Sequence, residues 1–334
     1  MLSRRFILTF LLSVSSFLVC ADDIESLRAQ AKAVHGVLPD KMPGAENDTP
    51  ALIELGERLY FETALSNDGT QSCNSCHRID MGRGGVDNEV TSIGVTGQRG
   101  ERNSPTVWNA GFHVSQFWDG RATNLKEQAK GPILNPVEMA IPDEATAIAN
   151  LRAEGYVPLF EEVFSADESP LSYDNIAHAI SAFERTLITE DRFDAFLKGD
   201  DSALTQKERE GYQAFVQAGC SACHNGPLFG GNMYMKMGVV HPYANKKDKG
   251  RFTVTNSPSD MYMFKVPSLR NVTKTAPYFH DGTVATLEEA VAQMAWLQLN
   301  RKLSEQETED IVRFLGALDN TKEFASAYSE NASE

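Results

Sequence analysis

The sequence predicts a mainly α-helical fold with two domains, long irregular loops and little sheet. Three observations support this. Helical periodicity recurs in both halves of the chain, sustained strand alternation is scarce, and the pattern Cys-x-x-Cys-His occurs twice, at Cys73–His77 and at Cys220–His224. A chain of 334 residues also suits two domains better than one.

Cys-x-x-Cys-His is the attachment signature of c-type haem, whose vinyl groups bond to the two thiols while the histidine ligates the iron. A zinc site would need four clustered nitrogen or sulfur ligands, and a redox dithiol does not need an adjacent histidine. The repeat therefore predicts two cytochrome c-like domains, each with one covalently attached haem c. The attachment residues are Cys73, Cys76, His77, Cys220, Cys223 and His224.

Residues 1–21 are predicted to be a signal peptide. Arg4 and Arg5 precede an apolar run, and Val19 and Ala21 supply the small residues of a cleavage site. Cleavage removes Cys20, so every remaining cysteine belongs to a haem motif and no structural disulfide is expected. We expect export to the periplasm, where the haem is attached, with no membrane span in the mature chain.

The charge balance bears on partners. The chain carries a net charge of −15, and loss of two arginines with the signal peptide makes the mature protein more acidic still. This balance argues against nucleic acid and anionic membrane surfaces as partners. It favours a basic protein partner, provided that the acidic residues lie near the second haem.

Each domain is expected to begin with one helix and to end with another packed across it. The first domain, 22–190, would be followed by the second, 191–334, with 191–202 as a linker and 80–116 as an irregular wrap over a haem edge. Capping boxes are predicted at Thr286-x-x-Glu289 and Ser304-x-x-Glu307. The expected helical stripes are Leu52, Leu55, Gly56, Leu59, Tyr60 and Phe61; Ile176, Ile180, Phe183 and Leu187; Gly211, Tyr212, Phe215 and Val216; and Ile311, Phe314, Leu315 and Leu318.

The sixth position of each iron separates a carrier from a catalyst, because a strong second ligand favours electron transfer and an open position favours chemistry. Met294 lies two turns into a predicted helix and is one candidate for the second haem. The others are Met233, Met235, Met237, His241, Met261, Met263 and His280. No histidine lies between His77 and Phe112, and Met81 is too near the motif to reach the iron easily. An open first iron near Gln128 and Glu138 would suit chemistry on a small oxygen species.

The chain closely resembles the bacterial di-haem cytochrome c peroxidases, the group that also contains the MauG-like enzymes, from about Leu52 to Leu318. The matching motifs are Leu65-Ser66, Gly85-Val86-Asp87-Asn88, Arg102-Asn103-Ser104-Pro105-Thr106, Gln116-Phe117-Trp118-Asp119-Gly120-Arg121-Ala122, Glu127-Gln128-Ala129, Asn135-Pro136-Val137-Glu138-Met139, Phe264-Lys265-Val266-Pro267-Ser268-Leu269-Arg270-Asn271 and Thr275-Ala276-Pro277-Tyr278-Phe279-His280-Asp281-Gly282.

The resemblance implies a role for several residues. The N-terminal haem would be the low-potential peroxidatic centre and the C-terminal haem the high-potential entry point for electrons. Glu138 matches the family's acid–base glutamate, Gln128 the pocket glutamine and Trp118 the tryptophan between the haems. Met294 matches the sixth ligand of the second haem, where MauG-like enzymes carry a tyrosine. Asn103, Thr275 and Pro277 match a calcium site, and a homodimer would be usual for the family.

One departure from the family pattern concerns the first haem. Many members have a histidine after Ser-Ile-Gly that blocks the resting iron, whereas this chain has Val95. The expectation is a first haem that is open without prior reduction. The counter-reading is that His113, which stands where an asparagine would be typical, or another group in the 80–116 loop closes it.

The sequence thus predicts an enzyme that reduces hydrogen peroxide to water with electrons from a small cytochrome c or a blue-copper protein. Two alternatives stay open. One is a MauG-like enzyme that oxidises a protein side chain, which Met294 disfavours. The other is a non-catalytic di-haem electron carrier, which would need a sixth protein ligand on both irons.

Overall fold

A computed structural model describes residues 15–80, 84–324, 326 and 328, with side chains from residue 23 onward. Most of the predicted signal peptide, and Met81, lie outside the described residues. The first described helix, Ser15–His35, runs through the predicted cleavage point after Ala21. Within the part of the chain that the structure describes, no helix has the length and apolar character needed to cross a membrane.

The described chain is mainly helical. The helices, in chain order, are α1 (Ser15–His35), α2 (Pro50–Tyr60), α3 (Cys73–Cys76), α4 (Leu125–Leu134), α5 (Glu144–Ala153), α6 (Val157–Val163), α7 (Tyr173–Glu184), α8 (Arg192–Lys198), α9 (Gln206–Ala218), α10 (Phe252–Thr255), α11 (Leu287–Leu299) and α12 (Glu305–Leu315). Two short strands, β1 (Tyr234–Lys236) and β2 (Met263–Lys265), pair antiparallel, with Tyr234 opposite Lys265. The predicted fold class is confirmed.

The helix before each haem motif crosses a later helix at very close range. α2 packs on α7, and α9 packs on α12. A Cβ atom on Gly56 would lie 1.9 Å from the Ala179 carbonyl oxygen, and one on Gly211 would lie 2.0 Å from that of Asp310. Glycine is therefore required at both crossings, since any side chain would collide with the partner backbone. The two halves repeat the same construction.

The predicted stripes fill two main cores, and Tyr60, Phe183 and Leu187 belong to a third, smaller cluster. Leu52, Leu55 and Leu59 pack with Ile176 and Ile180, and the aromatic rings of the second half pack around Phe314, which contacts Tyr212 and Phe215. The buried residues Leu27 and Ala31 of α1 join the second core. Leu187 and Leu318 are buried just beyond the ends of their helices. Val216, expected on an inner face, is instead 37% exposed.

The predicted linker 191–202 is wrong. Residues Arg192–Lys198 form α8, which buries Phe193, Phe196 and Leu197 in the second core. Asp191 caps the helix by accepting from the Asp194 amide at 2.9 Å, and Gly199 ends it with φ of 116°. Aspartates and a glycine, read as linker composition, are here helix-terminating residues. The division into 22–190 and 191–334 stays a prediction.

Of the two predicted capping boxes, the one at Ser304 is confirmed and the one at Thr286 is incomplete. Ser304 and Glu307 exchange both hydrogen bonds of the motif at the start of α12. At α11, Thr286 accepts from the Glu289 amide at 3.2 Å. The Glu289 carboxylate instead accepts from the Gln293 side chain at 3.0 Å, so the return bond of the box is missing.

Candidate functional site

The two motif histidines are held in the same way. The short helix α3 ends at Cys76, and His77 follows with its Nδ1 3.0 Å from the carbonyl oxygen of Pro105. In the second half, His224 Nδ1 lies 2.9 Å from the carbonyl oxygen of Phe229. Because a carbonyl can only accept, each Nδ1 carries the proton and each Nε2 keeps its lone pair. A backbone partner that fixes the tautomer in this way is typical of a metal-ligating histidine.

The motif cysteines are suited to thioether bonds. All four are free of disulfides. Burial raises the pKa of Cys76 to about 11 and that of Cys220 to about 11. Reactive dithiols and zinc ligands need a depressed thiol pKa, so this environment fits carbon–sulfur attachment of haem better than either of those roles.

The second attachment site opens into an apolar cavity. Cys220, Cys223 and His224 line it together with Phe264, Leu287 and Ile311. A large apolar space beside two thiols and a histidine with a free Nε2 is what a haem macrocycle requires. The residues present therefore fit the cofactor that the motif predicts.

The cavity also sorts the candidate sixth ligands of the second haem. It is lined by Met235, Met237, His280 and Met294. His241 lies elsewhere, stacked on Trp296 at 3.7 Å with its Nε2 2.7 Å from Asn300 Oδ1. Met294 lies in the second turn of α11, half-buried. Its role as the ligand stays a prediction.

Glu138 lies beside the first attachment site. It sits in the turn after α4, where its Oε1 accepts from Asn135 Nδ2 at 2.9 Å. Its charge, together with that of Asp87, acts to raise the pKa of the Cys76 thiol, which places its carboxylate within electrostatic range of that thiol. Burial raises the pKa of Glu138 itself, while nearby Arg121 acts in the opposite direction. A half-buried carboxyl with a raised pKa can both accept and donate a proton near neutral pH.

The loop that carries Val95 packs directly on this glutamate. The Val95 amide donates to the Glu138 carbonyl oxygen at 3.0 Å. Ser92, three residues earlier, contacts Ser104 Oγ at 2.6 Å and helps to hold down the pKa of Cys76 by a hydrogen bond. Position 95 therefore belongs to the surroundings of the first haem site.

Gln128 lies on α4, in the same helix–turn unit as Glu138. Its side chain is half-buried, and only its backbone makes a recorded hydrogen bond in the described part of the chain, to the Asn124 carbonyl at 3.0 Å. The turn folds back on α4 through Met139, whose amide donates to the Pro132 carbonyl at 3.2 Å. The amide group of Gln128 is thus available to a ligand.

Trp118 and the segment 103–106 connect the two sites. Trp118 Nε1 donates to the Asn103 carbonyl oxygen at 2.9 Å. Two residues further along the chain, the carbonyl oxygen of Pro105 accepts the hydrogen bond from His77 Nδ1. Pro105 also lines the cavity that contains His224. One short stretch of backbone therefore touches both haem sites.

Asn103, Thr275 and Pro277 all line this cavity. Asn103 Nδ2 donates to the Glu89 carbonyl at 3.0 Å, which turns its Oδ1 away from that contact. Across the described residues, no hydrogen bond reaches this Oδ1 or the carbonyl oxygens of Thr275 and Pro277. Three oxygen donors of this kind fit a hard cation such as Ca²⁺.

Sequence reasoning missed two buried cations. Lys265 is 5% exposed and Arg270 is 1% exposed. Arg270 forms ion pairs with Asp191 and Asp194 and donates from Nε to the Pro227 carbonyl at 2.7 Å. Both lie in the quoted Phe264–Asn271 motif, but a charged residue at the end of a short strand or in a loop gives no sequence signal of burial. His113 contacts Lys265 in the second cavity rather than approaching the first site.

Two haem attachment sites, one against a methionine-lined cavity and one beside a titratable glutamate, define a di-haem c-type cytochrome. Comparison with known proteins narrows this class. Residues 50–202 match the family described as di-haem cytochrome c peroxidase. The chain is 48% identical to cytochrome c551 peroxidase of Nitrosomonas europaea over 84% of this chain and 83% of that protein. It is 45% identical to cytochrome c551 peroxidase of Pseudomonas aeruginosa over 93% and 90% of the two chains.

The chain belongs to the di-haem cytochrome c peroxidase family. A crystal structure of a MauG-like protein associated with microbial copper homeostasis superposes with a TM-score of 0.74, at 29% identity over 88% of this chain and 96% of that one. Identity to this MauG-like protein is thus well below identity to the two peroxidases. Membership of this family confirms the predicted family, the predicted enzyme class and the two haem c groups.

Proposed function

We propose that the protein reduces hydrogen peroxide to water at the haem site of His77, with electrons that enter at the haem site of His224. The observation that carries this proposal is the contrast between the two sites. The first has a titratable carboxyl group beside its attachment cysteine, and the second has a cavity lined by methionines. The balanced reaction converts one peroxide, two protons and two electrons into two waters.

The protein's own residues supply the proton transfers. Bound haem iron supplies the redox chemistry and the place where peroxide binds. Glu138 accepts a proton from one peroxide oxygen and returns it to the other, which leaves as water. Asn135 keeps the carboxyl group oriented through its hydrogen bond to Oε1. The Gln128 amide orients the substrate in the same pocket.

Electron entry is assigned to the second site. Met294 would be the sixth ligand there, since a methionine opposite a histidine raises the reduction potential. Trp118 would assist electron passage, because its indole binds the same 103–106 segment that holds His77. The donor is proposed to be a small cytochrome c or a blue-copper protein.

The exposed side chains beside the second cavity bear on the charge that the docking face of the donor should carry. Val239, Val240 and Trp296 are 53%, 47% and 37% exposed, and we call them, with Lys236 and Lys302, the donor patch. Gln298, which lines the cavity, donates to the Lys236 carbonyl at 3.1 Å, and Lys302 Nζ lies 5.3 Å from the Trp296 ring centroid. In the described residues neither lysine has an ion-pair partner within 4.0 Å.

The expectation of a basic donor required acidic residues near the second haem. The donor patch is cationic, although the whole chain is acidic. An apolar contact with two neighbouring lysines fits a donor with an acidic face. We therefore propose an acidic docking face on the donor.

A calcium ion held by Asn103, Thr275 and Pro277 is part of the proposal. It is supported by three residues that line one cavity and offer oxygen atoms of the kind that a hard cation binds. It would tie the 103–106 segment to the segment around Pro277 and so stabilise the region between the haems. Removal of calcium with a chelator, followed by calorimetry, is expected to lower the thermal midpoint, and added Ca²⁺ but not Mg²⁺ is expected to restore it.

The proposed location of the protein rests on the predicted signal peptide, residues 1–21. Residues 1–21 would direct export and be removed, and the mature chain would act in the periplasm as a homodimer. N-terminal sequencing of the mature protein and sedimentation analysis test the two statements separately.

The spin states of the resting protein test the proposed function. Electron paramagnetic resonance of the oxidised enzyme is expected to show one low-spin haem and one high-spin haem that peroxide perturbs. Two low-spin haems, both indifferent to peroxide, would support the electron-carrier alternative instead.

A further inference from the structure

Lys265 is a buried ammonium without a counter-ion of its own. It ends β2, is 5% exposed, and donates from Nζ to the Ser115 carbonyl at 2.7 Å and to His113 Nδ1 at 3.1 Å. Both partners are uncharged. No ion pair of Lys265 is found among the described residues. Leaving a buried charge unpaired is strongly unfavourable.

The carboxylate whose charge acts on Lys265, that of Asp119, is already committed to other cations. Asp119 accepts from Arg102 at 2.6 Å and from Arg121 at 3.2 Å. Arg102 in turn pairs with Asp248 at 2.6 Å. Two arginines and two aspartates balance one another, so the charge of Lys265 is left over.

His113 presents a second donor in the same place. Because the ammonium of Lys265 has no lone pair, Nδ1 of His113 must accept, and the ring proton must be on Nε2. This Nε2 is buried and has no hydrogen-bond partner in the described structure. Both Lys265 and His113 line the cavity that contains His224.

We propose that Lys265 and His113 together bind a propionate carboxylate of the haem attached at Cys220 and Cys223. This rests on the proposed two-haem function. A carboxylate offers two acceptor oxygens, one for the remaining Nζ proton and one for the Nε2 proton. A haem in this cavity brings such anions with it, and they provide the counter-ion that the chain lacks.

Two physical consequences follow. Burial lowers the pKa of Lys265 to about 7 in the protein alone, and a propionate partner would restore the charged form. A cation held beside the haem also disfavours its oxidised, more positive state. Lys265 and His113 are thus positioning residues that help to keep the potential of the second haem high.

The test compares Lys265→Met with Lys265→Arg by potentiometric titration and by infrared redox difference spectra of enzyme with ¹³C-labelled haem propionates. Lys265→Met is expected to lower the midpoint potential of the second haem and to shift the labelled carboxylate band. Lys265→Arg is expected to keep both near wild type. Lys249→Met, which removes an exposed lysine, is the matched control and should change neither. An unchanged potential and band in Lys265→Met would overturn the proposal.

A second pair of variants covers the case in which Lys265→Met fails to incorporate haem. His113→Phe removes the Nε2 donor and is expected to shift the labelled band, whereas His113→Gln keeps an N–H donor and should shift it less. Identical bands in wild type and both variants would contradict the proposal. These measurements use no peroxide, so failure of the proposed function would appear separately, as absent turnover with normal propionate bands.

Discussion

Among single residues, Glu138 has the surroundings that the proposed proton transfer requires. Its half-buried carboxyl group has a raised pKa because burial outweighs the influence of Arg121. Its side chain is oriented by Asn135. It is close enough to the first attachment site for its charge to act on Cys76. These features make a carboxyl group that can change protonation during a reaction cycle.

Glu138→Gln is expected to lower peroxidase activity by about 10²–10⁴-fold, because the amide cannot take up and return a proton. Haem content and the spectrum of the second haem should stay normal. The acid limb of the pH profile for kcat/KM should lie above the ordinary carboxyl pKa in the wild type, since protonation removes the base. It should vanish in the variant. Glu127→Gln, on the exposed side of α4, is the control. If the activity of Glu138→Gln lay within about threefold of that of Glu127→Gln, Glu138 would not be the acid–base residue.

Met294→Leu is expected to spare peroxide binding at the first haem but to lower the potential of the second haem and slow turnover, because a thioether ligand is lost. The near-infrared charge-transfer band of methionine-ligated ferric haem should disappear. Met237→Leu removes a second methionine from the same cavity and should leave the band in place. A band that survives in Met294→Leu would assign the ligand to another residue, with Met235, Met237 and His280 as the remaining candidates on the wall.

Sequence reasoning was strongest for residues that form a contiguous motif. The attachment residues follow from spacing alone, because covalent attachment demands two thiols and a histidine in a fixed order. The contact between Lys265 and His113 was not predicted, because it depends on β2 meeting the loop at 113–115. A pair 152 positions apart leaves no local pattern.

At the scale of elements, the segment around Val95 is the part most directly tied to reactivity. The hydrogen bond from the Val95 amide to the Glu138 carbonyl oxygen fixes the segment against the turn that carries the Glu138 carboxyl group. His113, the alternative blocking residue, is held by Lys265 in the other cavity. The structure thereby favours an open first haem, which remains a prediction.

Val95→His is expected to introduce the missing block. The oxidised variant should lose its high-spin signal in electron paramagnetic resonance, and its reaction with peroxide should then depend on prior reduction of the second haem. Val95→Leu, which cannot ligate iron, serves as the control and should behave as wild type. A wild-type protein whose two haems are already both low-spin would show that position 95 does not govern access.

Helix α8 depends on one buried arginine. Arg270 joins Asp191 and Asp194, at the start of α8, to the Pro227 carbonyl near the second haem motif. Arg270→Met is expected to lower the free energy of unfolding by about 3–5 kcal/mol, because two buried carboxylates lose their counter-ion. Urea denaturation followed by circular dichroism measures this. Lys207→Met, which breaks an exposed pair with Glu210, should barely change the free energy of unfolding. An equally small effect of Arg270→Met would contradict a structural role for Arg270 and its two aspartates.

The elements themselves were predictable where apolar periodicity was long. The helices before and after each haem motif were expected, and so was the irregular character of 84–116. α8 was missed because seven residues show too little periodicity, and because its capping aspartate and terminal glycine resemble linker composition. The complete capping box predicted at Thr286 is wrong, because the carboxylate of Glu289 accepts a hydrogen bond from Gln293 instead of from the Thr286 amide.

At the scale of the whole molecule, net charge and local charge point in opposite directions. The chain is strongly acidic, whereas the donor patch beside the second cavity presents two unpaired lysines around exposed apolar side chains. The electrostatic field near the docking site steers association more than the total charge does, because salt screens charges that lie more than about 10 Å away. We therefore expect the charge of the donor patch, more than the total charge, to decide which donor binds.

Reversing both lysines of the donor patch, Lys236→Glu with Lys302→Glu, is expected to slow electron transfer from a donor with an acidic face by roughly tenfold or more at low ionic strength. The difference should shrink as salt is added. Rates come from stopped-flow oxidation of the reduced donor, with Lys207→Glu as the control for a charge reversal outside the donor patch. Faster oxidation of an acidic donor by the double variant would contradict the assignment of the donor patch.

The central claim is that peroxide is reduced at the first haem with electrons delivered through the second. Its most direct test is rapid mixing of the enzyme with hydrogen peroxide and a reduced small cytochrome c or blue-copper protein, with donor and peroxide both quantified. The account predicts that two donor molecules are oxidised for each peroxide consumed, and that blocking Met294-dependent electron entry stops donor oxidation while peroxide still perturbs the first haem. Consumption of peroxide without donor oxidation, or donor oxidation that does not depend on peroxide, would contradict it.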